Sequence, residues 1–265
     1  MKLLLERNDI NPERADKRGL TPLAVAAWWG HAGIVRMLLE RNDVNSNTAN
    51  KHGRTPLSWA AGDGHVGVVK LLLERDDVNP DATEEYGTTP LSWAVQNGEE
   101  EVVRMLLERS DVNPNAADED GRTPLSFAAE DGHEEVVRML LERNDVNLNT
   151  VDKDGRTPLS WAAENGYKKI VRILLKRNDI NVNIADLNGQ TAAEWATQNG
   201  YDRIAELVRD QAVSAPRCAA SLQPTNTRSP EPSESSEPPL QEDPQVLTPN
   251  DKSHLTYSPR QCKTF

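Results

Sequence analysis

Cysteine is nearly missing from this sequence. The two present, Cys218 and Cys262, both fall in its last 55 residues. No disulfide framework and no thiolate zinc site can be built from them. Long apolar runs are missing too. At the start Leu3-Leu4-Leu5 is followed at once by Glu6, too short for the core of a signal peptide. No run elsewhere approaches the length of a membrane span. Positive charge is scarce: the first 210 residues hold 25 Lys and Arg against 36 Asp and Glu. Without clustered cations the chain has no means of neutralising phosphates, which argues against nucleic acid and against an anionic membrane surface. Catalytic signatures are equally sparse, with no Gly-Lys-Ser/Thr phosphate loop and no Gly-x-Ser-x-Gly elbow. The expectation is an intracellular, cytoplasmic or nuclear, monomeric protein that needs no cofactor and no metal. The final Cys262-Lys263-Thr264-Phe265 places a cysteine as a prenylation box would, but Lys263 and Thr264 are not the aliphatic pair that motif uses.

What the sequence has in abundance is repetition. Gly19, Gly53, Gly87, Gly121, Gly155 and Gly189 stand 34 residues apart, and so do Thr21, Thr55, Thr89, Thr123, Thr157 and Thr191. Pro follows Thr in the first five copies, and Asp43-Val44-Asn45 recurs at the same interval. Thr suits an N-cap and Pro the first helical position, so each Thr-Pro predicts a helix start. In the copy from Gly121 the first helix reads PLSFAAED and stops at Gly132. A second helix, EEVVRMLLER, carries Val136, Val137, Leu140 and Leu141 at the spacing of one buried face. The remainder, DVNLNTVDKDG, holds turn and β formers and reads as an extended loop. One such unit cannot bury its own apolar face, so the units must stack. The column Trp59, Trp93, Phe127, Trp161 and Trp195 reads as inter-repeat core between small alanines.

These motifs resemble the ankyrin repeat, whose pattern is Gly-x-Thr-Pro-Leu, two antiparallel helices and Asp-Val-Asn before a hairpin loop. Gly-Arg-Thr-Pro-Leu stands intact from Gly53, Gly121 and Gly155. The resemblance implies an all-α solenoid with hairpin loops: a partial repeat at 1–18, full repeats at 19–52, 53–86, 87–120, 121–154 and 155–188, and a capping repeat at 189–210. Departures are Ser58, Ser92, Ser126 and Ser160 where the family carries His, and a Gly-Ala pair missing before Asp-Val-Asn. Met1 falls in the column of Val35, which suggests an array truncated from a longer one. Beyond residue 211 the period vanishes. This tail to residue 265 holds nine of the 17 prolines and reads as a disordered Pro/Ser-rich segment. Its Ser229-Pro230, Thr248-Pro249 and Ser258-Pro259 are candidate phosphorylation sites.

In the family the concave face is formed by hairpin tips and first-helix ends. Carried over by column, the candidates are Lys51, His52, Glu85, Tyr86, Glu119, Asp120, Lys153 and Asp154 at the tips. Arg122 follows a tip glycine. Gln96, Asn97, Glu130, Asp131, Glu164 and Asn165 close first helices. Trp28 and Trp29, in the stretch AVAAWWGH, occupy the columns that hold Gly62-Asp63 and Glu130-Asp131 in later copies. They are either an anchor for a partner or, for Trp28, a cover over the incomplete first repeat. The resemblance implies a non-catalytic scaffold for another protein, and the acidic centre suggests a partner with a basic segment. An alternative keeps the array as the sensing end of a larger signalling protein, for example one fused to a nucleotide-binding switch domain. An enzyme would need a unique acid–base pair, which uniform columns do not offer. The histidines of one column, His31, His65 and His133, read as loop hydrogen-bonding groups and not metal ligands.

Overall fold

A computed structural model describes residues 11–214 of the chain. The first ten residues, and everything from 215 on with its two cysteines and three Ser/Thr-Pro dipeptides, lie outside the described residues. Among the described residues there are twelve helices in six pairs. They are α1 Pro22–Trp28 and α2 Ala32–Leu39, α3 Pro56–Gly62 and α4 Val66–Leu73, α5 Pro90–Gln96 and α6 Glu100–Leu107, α7 Pro124–Asp131 and α8 Glu134–Glu142, α9 Pro158–Glu164 and α10 Lys168–Leu174, and α11 Ala192–Gln198 and α12 Asp202–Ser214. The only β pairing among them is an isolated bridge between Ala185 and Thr191. The last helix runs four residues past the boundary expected at 210.

The helix starts follow from the Thr-Pro step. Thr55, Thr89, Thr123 and Thr157 each accept a bond from the backbone N–H of the serine three residues on, at 3.2–3.3 Å. That serine's own hydroxyl closes on the threonine hydroxyl at 3.0–3.3 Å. Serine in place of histidine thus ties the helix entry to itself, and the pair is buried. Gly132, the residue that ends α7, sits at φ 79°, in the left-handed region.

First helices pack on first helices of the next repeat, and second on second. Leu23, Leu57, Leu91, Leu125 and Leu159 from one column, and Leu38, Leu72, Leu106, Leu140 and Leu174 from another, are almost wholly buried in one continuous core. Each such leucine contributes about 1.5–3 kcal/mol on leaving water, and only stacking supplies that burial.

Polar ladders run beside the core at the same interval. Arg75, Arg109 and Arg177 each bind the aspartate two residues on and also donate to a leucine carbonyl of the preceding repeat, at 2.9–3.1 Å. In the loops Asn47, Asn115 and Asn149 reach forward. Each side-chain Nδ2 donates to the carbonyl of Asp77, Asp145 or Asp179 at 2.6–2.7 Å, and each Oδ1 accepts from Asn79, Asn147 or Asn181 at 2.7–2.8 Å.

Asp81 occupies this asparagine column between Asn47 and Asn115. Its Oδ2 accepts from the Asn113 N–H at 2.9 Å, but its buried Oδ1 has no hydrogen-bond partner. A carboxylate has no N–H to give where its neighbours donate to a backbone carbonyl. Burial pushes its pKa up, with the nearby Asp111 charge adding to this. A raised acid holds its proton more tightly when folded than unfolded. Its penalty is therefore relieved below the ordinary aspartate range and grows as pH rises through the folded value. The Arg-paired Asp77, Asp111 and Asp145 are held low by their guanidinium partners and act in the opposite sense, losing their contribution on acidification. Asp81→Asn is expected to raise stability at pH 7 by about 1 kcal/mol. The gain should shrink as pH falls toward 4 in urea unfolding series. A neutral or destabilising substitution at pH 7 would contradict the ladder argument.

Candidate functional site

The tips line up because each is bonded to the next. Lys51 N–H donates to the Arg18 carbonyl (3.3 Å), Glu85 to His52 (2.8 Å), Glu119 to Tyr86 (2.9 Å), Lys153 to Asp120 (2.8 Å) and Leu187 to Asp154 (2.9 Å). Within a tip the shape is set by an Asx turn. Asp118 Oδ1, for example, accepts from the N–H groups of Asp120 and Arg122 at 2.9 and 2.8 Å. The residues of each tip therefore stand on one edge of the array, in register with their equivalents.

Beside the tips lies a stack that sequence reading places elsewhere. The aromatic column was expected as core between alanines. Only Phe127 is buried; Trp59, Trp93, Trp161 and Trp195 are half-buried. The reason is an arginine column that shares the space. The Arg54 guanidinium lies 3.8 Å from the Trp59 ring and 4.1 Å from Trp93. Arg156 lies 3.6 Å from Trp161 and 4.3 Å from Trp195, and Arg122 lies 4.7 Å from Phe127. A planar cation slots between the rings of adjacent repeats, gaining cation–π attraction while its polar edge stays near carboxylates. The signal was present in the sequence as Gly-Arg-Thr-Pro-Leu, with an arginine five residues before Trp59, Phe127 and Trp161, while Thr88 and Gln190 hold that column before Trp93 and Trp195.

Trp28 joins this stack. Its ring is 4.6 Å from Trp59 in the following repeat and 5.5 Å from both Trp29 and the Arg18 guanidinium. The ring thus packs forward on Trp59 and under Arg18 of the first, partial repeat; residues 1–10, which the cover reading also involves, lie outside the described residues. Trp29 borders the groove at that end, with Arg14, Leu20, Val25, Ile34 and Leu38. It is 59% exposed.

The remaining candidates divide by what they already bind. Asn97 gives its Nδ2 to the Gly62 carbonyl (2.8 Å) and Asn165 to Glu130 and Trp161 (3.3 and 3.1 Å), so both serve the stack. The Gln96 carbonyl takes His133 Nε2 at 3.4 Å, and that of Trp28 takes His65 Nε2 at 2.9 Å. Arg122 reaches Asp118, Asp120 and Glu130. Lys153 reaches Asp120 at 3.4 Å, Glu164 pairs with Arg156, and His52 Nδ1 meets Glu85 at 2.7 Å. Burial raises the Glu130 pKa, and that of Glu84 behind the Tyr86 tip. Asp131, at the end of α7, is exposed. Lys51, Glu119 and Asp154 are exposed, with no ion pair to another described side chain. Tyr86 is 63% exposed. Leu187, in the Lys153 column but not foreseen from it, is 78% exposed.

No group of His, Cys, Asp and Glu among the described residues is arranged to hold a metal ion. Residues 62–67, GDGHVG, have the spacing of a Gly-x-Gly-x-x-Gly loop. They form the turn from α3 into α4 and follow a helix instead of a strand. The Glu99 carboxylate lies where a Gly64 Cβ would stand, so an acid sits at the turn and a phosphate would be repelled. No helix among the described residues is long and apolar enough to cross a membrane.

Family models bear on the whole array. A model described as ankyrin repeats (3 copies) matches residues 42–118, 78–150, 110–186 and 144–215, and one described as ankyrin repeats (many copies) matches 4–60. Among solved structures the chain is similar to that of EF0377, an ankyrin repeat protein. The two share 26% identity and a TM-score of 0.66, over 71% of this chain and 96% of the other. No curated protein matches.

Proposed function

Because the chain belongs to the ankyrin-repeat family, a family of protein–protein interaction modules, we propose that it is a non-catalytic intracellular scaffold whose tip edge and first-helix ends hold another protein. The observation that carries this is a division of labour among columns. Those that copy faithfully, the Thr, Ser, Leu and Ala of the helices, are buried in stacking. Those that vary stand along the bonded row of tips and the adjoining helix ends, and they include two large aromatic side chains left mostly in water, Trp29 and Tyr86. Exposed aromatic rings on a rigid frame are the usual anchors of an interface.

The partner carries a basic segment in this reading. Glu119 and Asp154 present carboxylates that no cation among the described residues neutralises, in line with Tyr86. Asp120, Glu130 and Glu164 contribute less, because Arg122, Lys153 and Arg156 already occupy them.

A photo-crosslinking side chain placed at position 29 or 86 of the full chain should capture one partner from cell extract, and one placed at Arg36 or Arg104 on exposed second-helix positions should not. Equal capture from both faces, or capture from the second helices alone, defeats the reading. Trp29→Ala should abolish the capture at position 86 with the melting temperature unchanged. Trp28→Ala should lower stability by about 1 kcal/mol, because it removes a ring stacked on Trp59.

A further inference from the structure

The tip row changes sign along its length. Its first two tips carry Lys17-Arg18 and Lys51-His52, the third Glu85-Tyr86, and the fourth and fifth Glu119-Asp120 and Lys153-Asp154. The cationic end is built around aromatic surface. Arg18 lies over Trp28, Trp28 touches Trp29, and the Lys51 side chain crosses beside Gly19 in the same tip pair. Arg18 is partly engaged by Asp16 at 3.2 Å, but Lys17 and Lys51 are exposed and meet no carboxylate of the described residues. An indole mostly in water, at the end of the array that carries these two exposed ammonium groups, suits an apolar side chain flanked by acids. A basic segment would be repelled here, and an acidic one would be repelled at Glu119 and Asp154.

We propose that the array binds a bipolar segment of its partner: an acidic stretch with an apolar anchor on Lys17, Lys51 and Trp29, joined to a basic stretch on Glu119 and Asp154. This rests on the tip edge being the binding face and adds the chemistry of its N-terminal end. Stacked helices sit about 10 Å apart, so the three steps from the Gly19 tip to the Gly121 tip span about 30 Å. At about 3.3 Å per residue an extended segment covers that with roughly nine residues between the two charge centres. The opposite signs also fix direction. A segment laid the other way places like charges together at both ends, so one orientation is selected without any base of sequence-specific pockets.

Three fluorescent synthetic peptides test this by anisotropy with the full chain: an acidic peptide with a central Phe, a Lys/Arg peptide, and the two joined by a neutral spacer of the length above. The joined peptide should bind at least tenfold more tightly than either part. Lys17→Glu with Lys51→Glu should remove binding of the acidic peptide, reduce the joined peptide to the affinity of the basic one, and leave the basic peptide unchanged. If the basic peptide binds through Glu119 and Asp154 but the acidic one does not bind, or binds the Lys17/Lys51 variant equally well, the bipolar proposal is overturned and the basic-segment reading stands. If Glu119→Lys with Asp154→Lys leaves the basic peptide's binding unchanged, the underlying assignment of the face fails as well. Circular dichroism of both charge-reversed chains, expected to match the parent, separates lost binding from lost folding.

Discussion

Gly53→Ala is expected to destabilise the array by about 3 kcal/mol, whereas Gly189→Ala, the same residue of the same turn, costs about 1 kcal/mol. Both glycines have left-handed backbone, φ 79° and 75°, and both close their tips with a bond from their own N–H, to Asn50 at 3.0 Å and to Asp186 at 2.9 Å. An alanine therefore meets the same backbone strain at either site. The surroundings differ. A Cβ on Gly53 would stand 2.9 Å from the Glu84 Cα in the next repeat, with the Thr83 carbonyl 3.2 Å away, while nothing lies within 4 Å at Gly189. Backbone cannot step aside as a flexible side chain can. The Glu85-to-His52 bond at 2.8 Å holds that backbone in place and has to yield first. Denaturant unfolding of the two variants measures the difference, and hydrogen exchange at the Glu85 amide locates it. Equal losses would mean that φ alone requires these glycines and that tip-to-tip approach does not.

Arg156→Ala is expected to cost about 2–3 kcal/mol. The side chain is nearly buried, its guanidinium lies between Trp161 and Trp195, and it neutralises Glu164. Removing it opens a gap between two rings and leaves a half-buried carboxylate without its cation. Arg156→Lys keeps the charge but not the plane, and should recover less than half of the loss. Arg104→Ala is the comparison: half exposed and 3.6 Å from Glu101, it should change stability by under about 0.5 kcal/mol. Shifts in the urea midpoint decide the matter. If Arg156→Ala falls no further than Arg104→Ala, the arginine is a spectator and the rings alone hold that layer.

Much of the architecture was legible without coordinates. Helix starts, helix ends, apolar faces and the stacking they require are local properties of a 34-residue unit, and six copies of one unit leave little freedom in how the copies join. The proposed binding face was legible only as a set of columns. Which members of those columns are free to meet a partner was not, because that depends on neighbours 30 to 37 positions away. Asn97 and Glu119 are equally polar in the sequence, yet one amide is spent on the Gly62 carbonyl and the other carboxylate faces water. The aromatic column was misplaced for the same reason. A tryptophan next to alanines reads as core until an arginine of its own repeat is seen to reach the same layer.

The two tryptophans of AVAAWWGH mark the boundary between the two kinds of knowledge. Their adjacency, and their position in the columns of helix ends, are written in the sequence. Consecutive residues at a helix terminus point in different directions, so one indole turns forward onto Trp59 and the other is left at the rim of the first groove. Composition and period determined that this chain stacks helix pairs, places both its cysteines outside the repeats, and shows its variation along one edge. The pairing of each charge and the direction of each ring were decided only in the folded array. A short-range period fixes backbone geometry, whereas ion pairs and ring stacks are settled by competition among groups that meet only when repeats are packed together.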